Sequence, residues 1–177
     1  IAAYHADRVA TWKRYYDTTQ LKSPGSYAIL EHFAANNEEV ELSDYGMLLW
    51  GNSNYNFSEA SMGWIPTSNF ESFLHTARNW SKPHLIGYME SHDEERMMYR
   101  NLQFGNTANA SHNVRDLNVA LKRIELCAAF LLSAPGPKMI WQFGELGYDY
   151  SINRCVDGTI NNNCRLDKKP IRWDYPA

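Results

Sequence analysis

The sequence predicts an α/β fold with a parallel sheet, on three observations. Four short apolar runs, "YAILEHF", "YGMLLWGN", "HLIGYME" and "KMIWQF", alternate with stretches of helical periodicity. The runs are apolar throughout, as strands covered on both faces are, rather than alternating apolar with polar. Polar residues gather at or just past their C-terminal ends: Glu31, Asn52, His92 with Asp93, and Glu145. In a (β/α) barrel that end is the catalytic face, because only there do loops from several strands meet at one pocket.

The first element is a helix: "HADRVATWKRYYDTTQ" spaces Ala6, Val9, Trp12 and Tyr16 three or four residues apart, and "KSPGS" breaks it. A buried strand near Tyr27 to Glu31 follows, then a polar stretch, helical or irregular, and a second strand near Met47 to Trp50. After a tight loop come a helix around "SNFESFLHTARNW" and a third strand from Leu85 to Glu90. Glu94, Glu95 and Arg96 are expected to start the next helical turn and pair with neighbours in a solvated structural role. The clearest helix is "NVRDLNVALKRIELCAAFLLSAPG", where Val114, Leu117, Leu121, Ile124, Ala128 and Leu131 share a face and Pro135 with Gly136 end it. A fourth strand, Met139 to Phe143, runs into "GELGYD". No linker, repeat or low-complexity stretch interrupts the chain, so residues 1–177 read as a single region.

A chain of 177 residues can hold one domain with a real core, or be part of a larger one. Twenty acidic against seventeen basic residues give a net charge of −3 with no basic stripe, so a nucleic-acid partner has no electrostatic footprint. No apolar run approaches the roughly 18 residues of a membrane-spanning helix, and the start, "IAAYHADRVATW", reads like the inside of a protein rather than a signal peptide. Six Trp, eleven Tyr and seven Phe suit stacking on flat or puckered ligands such as sugars, although ordinary core and rim packing accounts for most of them. Cys127, in an apolar helical stretch, reads as a small core residue. Cys155 and Cys164 flank the polar loop "VDGTINNN", which suits either a disulfide in an oxidising compartment or two free thiols.

Glu31 and Asp93 are the candidate chemical groups. A Glu at the mouth of an apolar barrel is partly desolvated and its pKa should rise, as a general acid near neutral pH requires, whereas Asp93 beside His92 should stay ionised. Either carboxylate could instead cap a helix or pair with an Arg. His92 could be a base, a donor to a hydroxyl or a metal ligand; with no second His at ligand spacing the metal role is weak. A Ser91-His92-Asp93 triad is excluded, because adjacent side chains on a strand alternate faces.

"MESHDE" resembles the His-Asp segment of the α-amylase family of glycoside hydrolases, "YAILEHF" is similar to the family's segment carrying the acid/base Glu, and "SAPGPKMIWQFGELG" resembles its eighth strand. They occur in the family's order. The resemblance implies a partial (β/α)8 TIM barrel, about strands 5 to 8 with their helices, acting on the α-1,4 bonds of starch or glycogen. It implies Glu31 as general acid/base, Asp93 as the carboxylate that stabilises the transition state and orients sugar hydroxyls, and His92 as a binding residue in the cleavage subsite; His32 and Trp50 are further candidate substrate contacts. The family's nucleophile segment, Gly, hydrophobic residue, Arg, any residue, Asp, is absent ahead of "YAILEHF". The chain is therefore expected to be the C-terminal half of the barrel and inactive alone. "SHDE" and "PGPKMIWQFGELG" also resemble glycogen branching enzymes, which transfer the glycosyl group to another glucan. A non-enzymatic alternative is a glucan-binding module using Trp50, Tyr55 and Trp64. The expected partner is an α-glucan polysaccharide or oligosaccharide, with neither nucleic acid nor membrane. No cofactor is expected in this chain; calcium is common in the family, but no acidic cluster here would build its site. A Cys155–Cys164 disulfide would favour a secreted or periplasmic location.

Overall fold

A computed structural model describes residues 2–175. In chain order the elements are α1 (Ala6–Lys22), β1 (Ile29–Leu30), α2 (Asn36–Tyr45), β2 (Leu48–Asn52), α3 (Asn54–Met62), β3 (Leu85–Tyr88), α4 (Met97–Phe104), α5 (Leu117–Ser133) and β4 (Lys138–Met139), with short 3₁₀ turns between some of them. The strands form one four-stranded parallel sheet in the order β1-β2-β3-β4, the α/β arrangement expected from the apolar runs. By its internal contacts the chain falls into two compact units. The first comprises the chain to Gly51, Glu71–Gly87 and Ala134–Lys138; the second comprises Asn52–Phe70, Tyr88–Ser133 and the chain from Met139.

In the first unit, Val9, Leu30, Leu42, Met47, Leu49, Trp80 and Leu85 make the core, and Trp12 and Tyr16 of α1 pack on it. The predicted face of α1 is thus used from Val9 onward, while Ala6 is exposed. Asp7 in the first turn and Lys22 in the last complement the helix dipole. The polar stretch after β1 is helical. It stops at Gly46, whose φ of 127° disfavours a side chain and whose added Cβ would lie 2.5 Å from the Tyr16 hydroxyl oxygen. The strand ladder continues through Leu48 N–H to the Ala28 carbonyl (2.9 Å), Leu49 N–H to His84 (3.0 Å) and Gly87 N–H to Pro137 (3.1 Å).

The helix predicted around "SNFESFLHTARNW" is replaced by one 3₁₀ turn, Glu71–Phe73, and further turns, with Asn79 in the left-handed region. Three side chains explain the difference. Phe73 fills the space over Gly87, the Trp80 indole N–H donates to Asn36 Oδ1 at 2.9 Å, and Arg78 both pairs with Glu39 and lies over the Trp80 ring. Those separate anchorages outweigh helix propensity.

In the second unit α3, α4 and α5 pack on one another. The tight loop expected after Asn52 is instead α3: Phe57 and Met62 are its buried apolar residues, too few to show a period, and Asn52 Oδ1 accepts the Asn54 N–H at 3.0 Å as it begins. Buried Asn101 of α4 donates to Ser61 Oγ of α3 at 2.7 Å, and Arg123 of α5 donates through Nε to the Ser61 carbonyl at 3.1 Å. α5 begins later than predicted. Asp116 Oδ1 accepts the backbone N–H groups of Asn118 and Val119, at 3.0 and 3.3 Å, and so leaves Val114 in the preceding turn. The fourth strand is likewise shorter than Met139 to Phe143, because the chain turns at Trp141 and Phe143 adopts a φ of 63°. Cys155 and Cys164 form a disulfide, and Cys127 is buried and free.

Candidate active site

The first three parallel strands hand on polar residues from their C-terminal ends. Glu31 and His32 follow β1, Trp50 and Asn52 close β2, and residues 91–93 follow β3 by a short step. Glu31, His32 and Trp50 belong to the first unit; His92 and Asp93 belong to the second.

Glu31 is exposed and accepts no hydrogen bond among the described residues, so the partial burial expected for it is not found in this chain. Trp50 is half-buried in β2. His32, a candidate substrate contact, is instead buried with its Nε2 2.7 Å from Glu38 Oε1. That buried carboxylate also takes the Arg8 guanidinium at 2.7 and 2.8 Å and the His5 backbone N–H at 2.9 Å. Arg8 above all, then His5 and His32, hold Glu38 at about 2 although burial pushes it up. The His32 ring therefore serves a packed ion cluster.

The segment after β3 carries six charged or titratable residues in seven positions, and most are framework. Glu90 turns inward, and its Oε1 accepts the Met97 N–H at 2.6 Å where α4 begins; burial pushes this carboxyl up more than Arg96 pulls it down. Glu94 accepts from the Asn52 amide and the Ser91 hydroxyl. Glu95 accepts the Arg96 and Ile152 backbone N–H groups, at 2.9 and 2.8 Å, and the Ser151 hydroxyl at 2.6 Å. Arg96 is buried, donating through Nη1 to the Ser91 carbonyl at 2.8 Å, and its guanidinium stands 5.8 Å from the ring centres of both Trp141 and Tyr148.

His92 and Asp93 are left facing outward, with side chains 49% and 46% exposed. His92 Nε2 lies 3.4 Å from Asp93 Oδ2, its ring is 5.9 Å from that of Trp141, and Asp93 also takes the Arg165 guanidinium. Beside His92 is a cavity of about 460 Å³. Trp141, Phe143, Tyr148 and Trp173 supply aromatic walls, and Arg96, Arg165, Asp167 and Lys169 supply charge. Rings of this kind can cover the C–H face of a sugar while charged groups hydrogen-bond its hydroxyls.

Arg165 and Trp173 were not identifiable as site residues from the sequence alone. The one available signal for Arg165 is its place directly after Cys164, since closing the disulfide fixes the loop that presents it. Trp141 lay inside a predicted strand, where its ring reads as packing. Cys155, Cys164 and Asp167 offer ligand atoms within 4.8 Å of one another, but the disulfide occupies both sulfurs and leaves a single carboxylate, too few for a metal centre.

No protein-family model matches the chain, and comparison with curated proteins returns no match. Among the described residues no helix is long and apolar enough to cross a membrane.

Proposed function

We propose that this chain carries the acid/base portion of a retaining α-glucan hydrolase, its parallel sheet corresponding to strands 5 to 8 of an α-amylase-type (β/α)8 barrel. The observation that carries this reading is the segment after β3. There Glu90, Glu94, Glu95 and Arg96 are held by packing and hydrogen bonds, and His92 with Asp93 turns outward beside an aromatic cavity. Glu31, exposed at the end of β1, is the general acid that protonates the glycosidic oxygen and then the base that activates water. Asp93 orients sugar hydroxyls and stabilises the oxocarbenium-like transition state, with Arg165 as its counter-charge. His92 and Trp50 contact the sugar. Retention requires a second carboxylate about 5 to 5.5 Å from the acid, which the family's Gly-hydrophobic-Arg-x-Asp segment would supply from an earlier stretch of a longer protein. The Cys155–Cys164 disulfide supports a secreted or periplasmic setting.

The test is substitution in the longer protein, read by reducing ends released from soluble starch. Glu31→Gln removes the acid with little change of shape and should cost roughly 10² to 10⁴ in rate; Asp93→Asn should also cripple turnover. The present chain alone should release nothing. Turnover by the chain alone, or indifference to both substitutions, would overturn the assignment. If iodine staining falls without a rise in reducing ends, the activity is transfer by a branching enzyme. If starch is bound with no turnover at all, the protein is a glucan-binding module, for which exposed Tyr55 and Trp64 are available platforms.

A further inference from the structure

The walls of the cavity beside His92 carry cationic side chains that a neutral glucan does not need. Arg96, Arg165 and Lys169 line it against one carboxylate, Asp167. Asp93, outside the lining, takes one edge of Arg165 through Nη2. Among the described residues no carboxylate lies within ion-pair distance of Arg96, but the charges of Glu90, Glu95 and Glu94 act on it through space, so Arg165 and Lys169 are the cations open to a ligand. Buried Glu90 faces the start of α4 with Oε1. Arg96 Nε and Trp141 Nε1, on two of the lining side chains, are buried without a hydrogen-bond partner among the described residues. Lys169 donates to the Arg154 and Cys164 carbonyls, at 3.0 and 2.7 Å, which leaves it one N–H.

An exposed guanidinium and an ammonium with one unshared N–H on the same wall fit a group that only accepts and that carries negative charge. The rings of Trp141, Phe143 and Trp173 call for an attached body with a flat or puckered apolar face. We propose that this cavity binds a sugar bearing an oxyanion, as in a phosphate ester, with the oxyanion on Arg165 and Lys169 and the sugar ring against Trp141 and Trp173. Burial lowers the Lys169 pKa, and an anion beside it would oppose that shift. The proposal draws on the glucan reading only for the sugar; the oxyanion subsite stands on the cavity itself.

The experiment is a tryptophan-fluorescence titration of the chain with glucose 6-phosphate, glucose and inorganic phosphate. Glucose 6-phosphate should change the emission saturably, glucose at the same concentration should not, and inorganic phosphate should compete with the ester. Affinity for the ester should weaken as salt rises from about 50 to about 500 mM, because partly exposed charges are screened. The double substitution Arg165→Gln with Lys169→Gln should lower it roughly tenfold or more, the loss of charge-assisted hydrogen bonds. Arg165→Lys with Lys169→Arg, which keeps both charges, should retain most of it and controls for misfolding. Equal response to glucose and its phosphate, no response to either, a site that takes phosphate but not the ester, or salt-independent binding would each overturn the proposal. Starch turnover by the longer protein is measured separately, so failure of the glucan reading is distinguishable from failure of this one.

Discussion

Glu38 and Glu90 are both buried carboxylates, and their surroundings drive them in opposite directions. Glu38 receives a guanidinium, a ring nitrogen and a backbone N–H; Glu90 receives one backbone N–H. The Glu38 value is depressed to about 2. Its contribution to stability is therefore complete above the unfolded carboxylate value, near pH ~4.3, and is lost as pH falls through about 2. Acid titration of urea stability should show this loss, and Glu38→Gln should lower stability at neutral pH while flattening the acid limb; an unchanged limb would show that the Arg8 pairing is not maintained in solution. Glu90 has the reverse sign. Its raised value means that the ionised form costs stability above the unfolded carboxylate range, so Glu90→Gln, which keeps an acceptor for the Met97 N–H, should raise the melting temperature at pH 7. That advantage should vanish once the pH falls below the unfolded value, and a variant less stable than the parent at pH 7 would refute it. Burial pushes the Cys127 thiol up to about 11, so the folded chain should resist alkylation at mildly basic pH and react only when unfolded.

At the scale of elements, β3 shows how a close approach constrains sequence. A Cβ on Gly87 would collide with the Phe73 ring, and Phe73 is itself buried. Gly87→Ala should cost about 1–3 kcal/mol in denaturant unfolding through overpacking, and adding Phe73→Leu should recover part of it by shortening the intruding side chain. Non-additivity of that sign is the deciding observation; strict additivity would place the strain elsewhere. The same contrast between local and distant causes decides what the sequence showed. Val9, Trp12 and Tyr16 mark α1, and the existence of α5 was legible because a long element repeats its signal, but its buried residues are Ala120, Cys127 and Leu131, while Leu117 and Leu121 of the predicted face are exposed. α3 and the turns before Trp80 were hidden. Their geometry depends on single partners such as Asn52, Asn36 and Glu39, and no period records those. His92 and Asp93 stood out because charge directly after an apolar strand needs a destination. That His32 would turn to Glu38, and that Arg165 would reach Asp93 across 72 residues of sequence, depends on tertiary contacts alone.

For the molecule as a whole, the deciding feature is connectivity. Each compact unit is assembled from three separate stretches of chain, so no single cut releases either one intact. Within the second unit the Cys155–Cys164 bond closes a short loop, nine residues apart in sequence, whose chain-entropy contribution is about 2–3 kcal/mol. Because that loop also positions Lys169, which donates to the Cys164 carbonyl, loss of the bond acts on the unfolded chain and on a packed wall of the cavity together. Urea unfolding of the Cys155→Ala, Cys164→Ala double variant should show one cooperative transition at a lower midpoint with a similar slope, because the stretches of the two units alternate along one chain. Two transitions, only one of them shifted, would show that the units unfold separately despite their shared chain; an unmoved midpoint would show that the loop keeps its form without the bond.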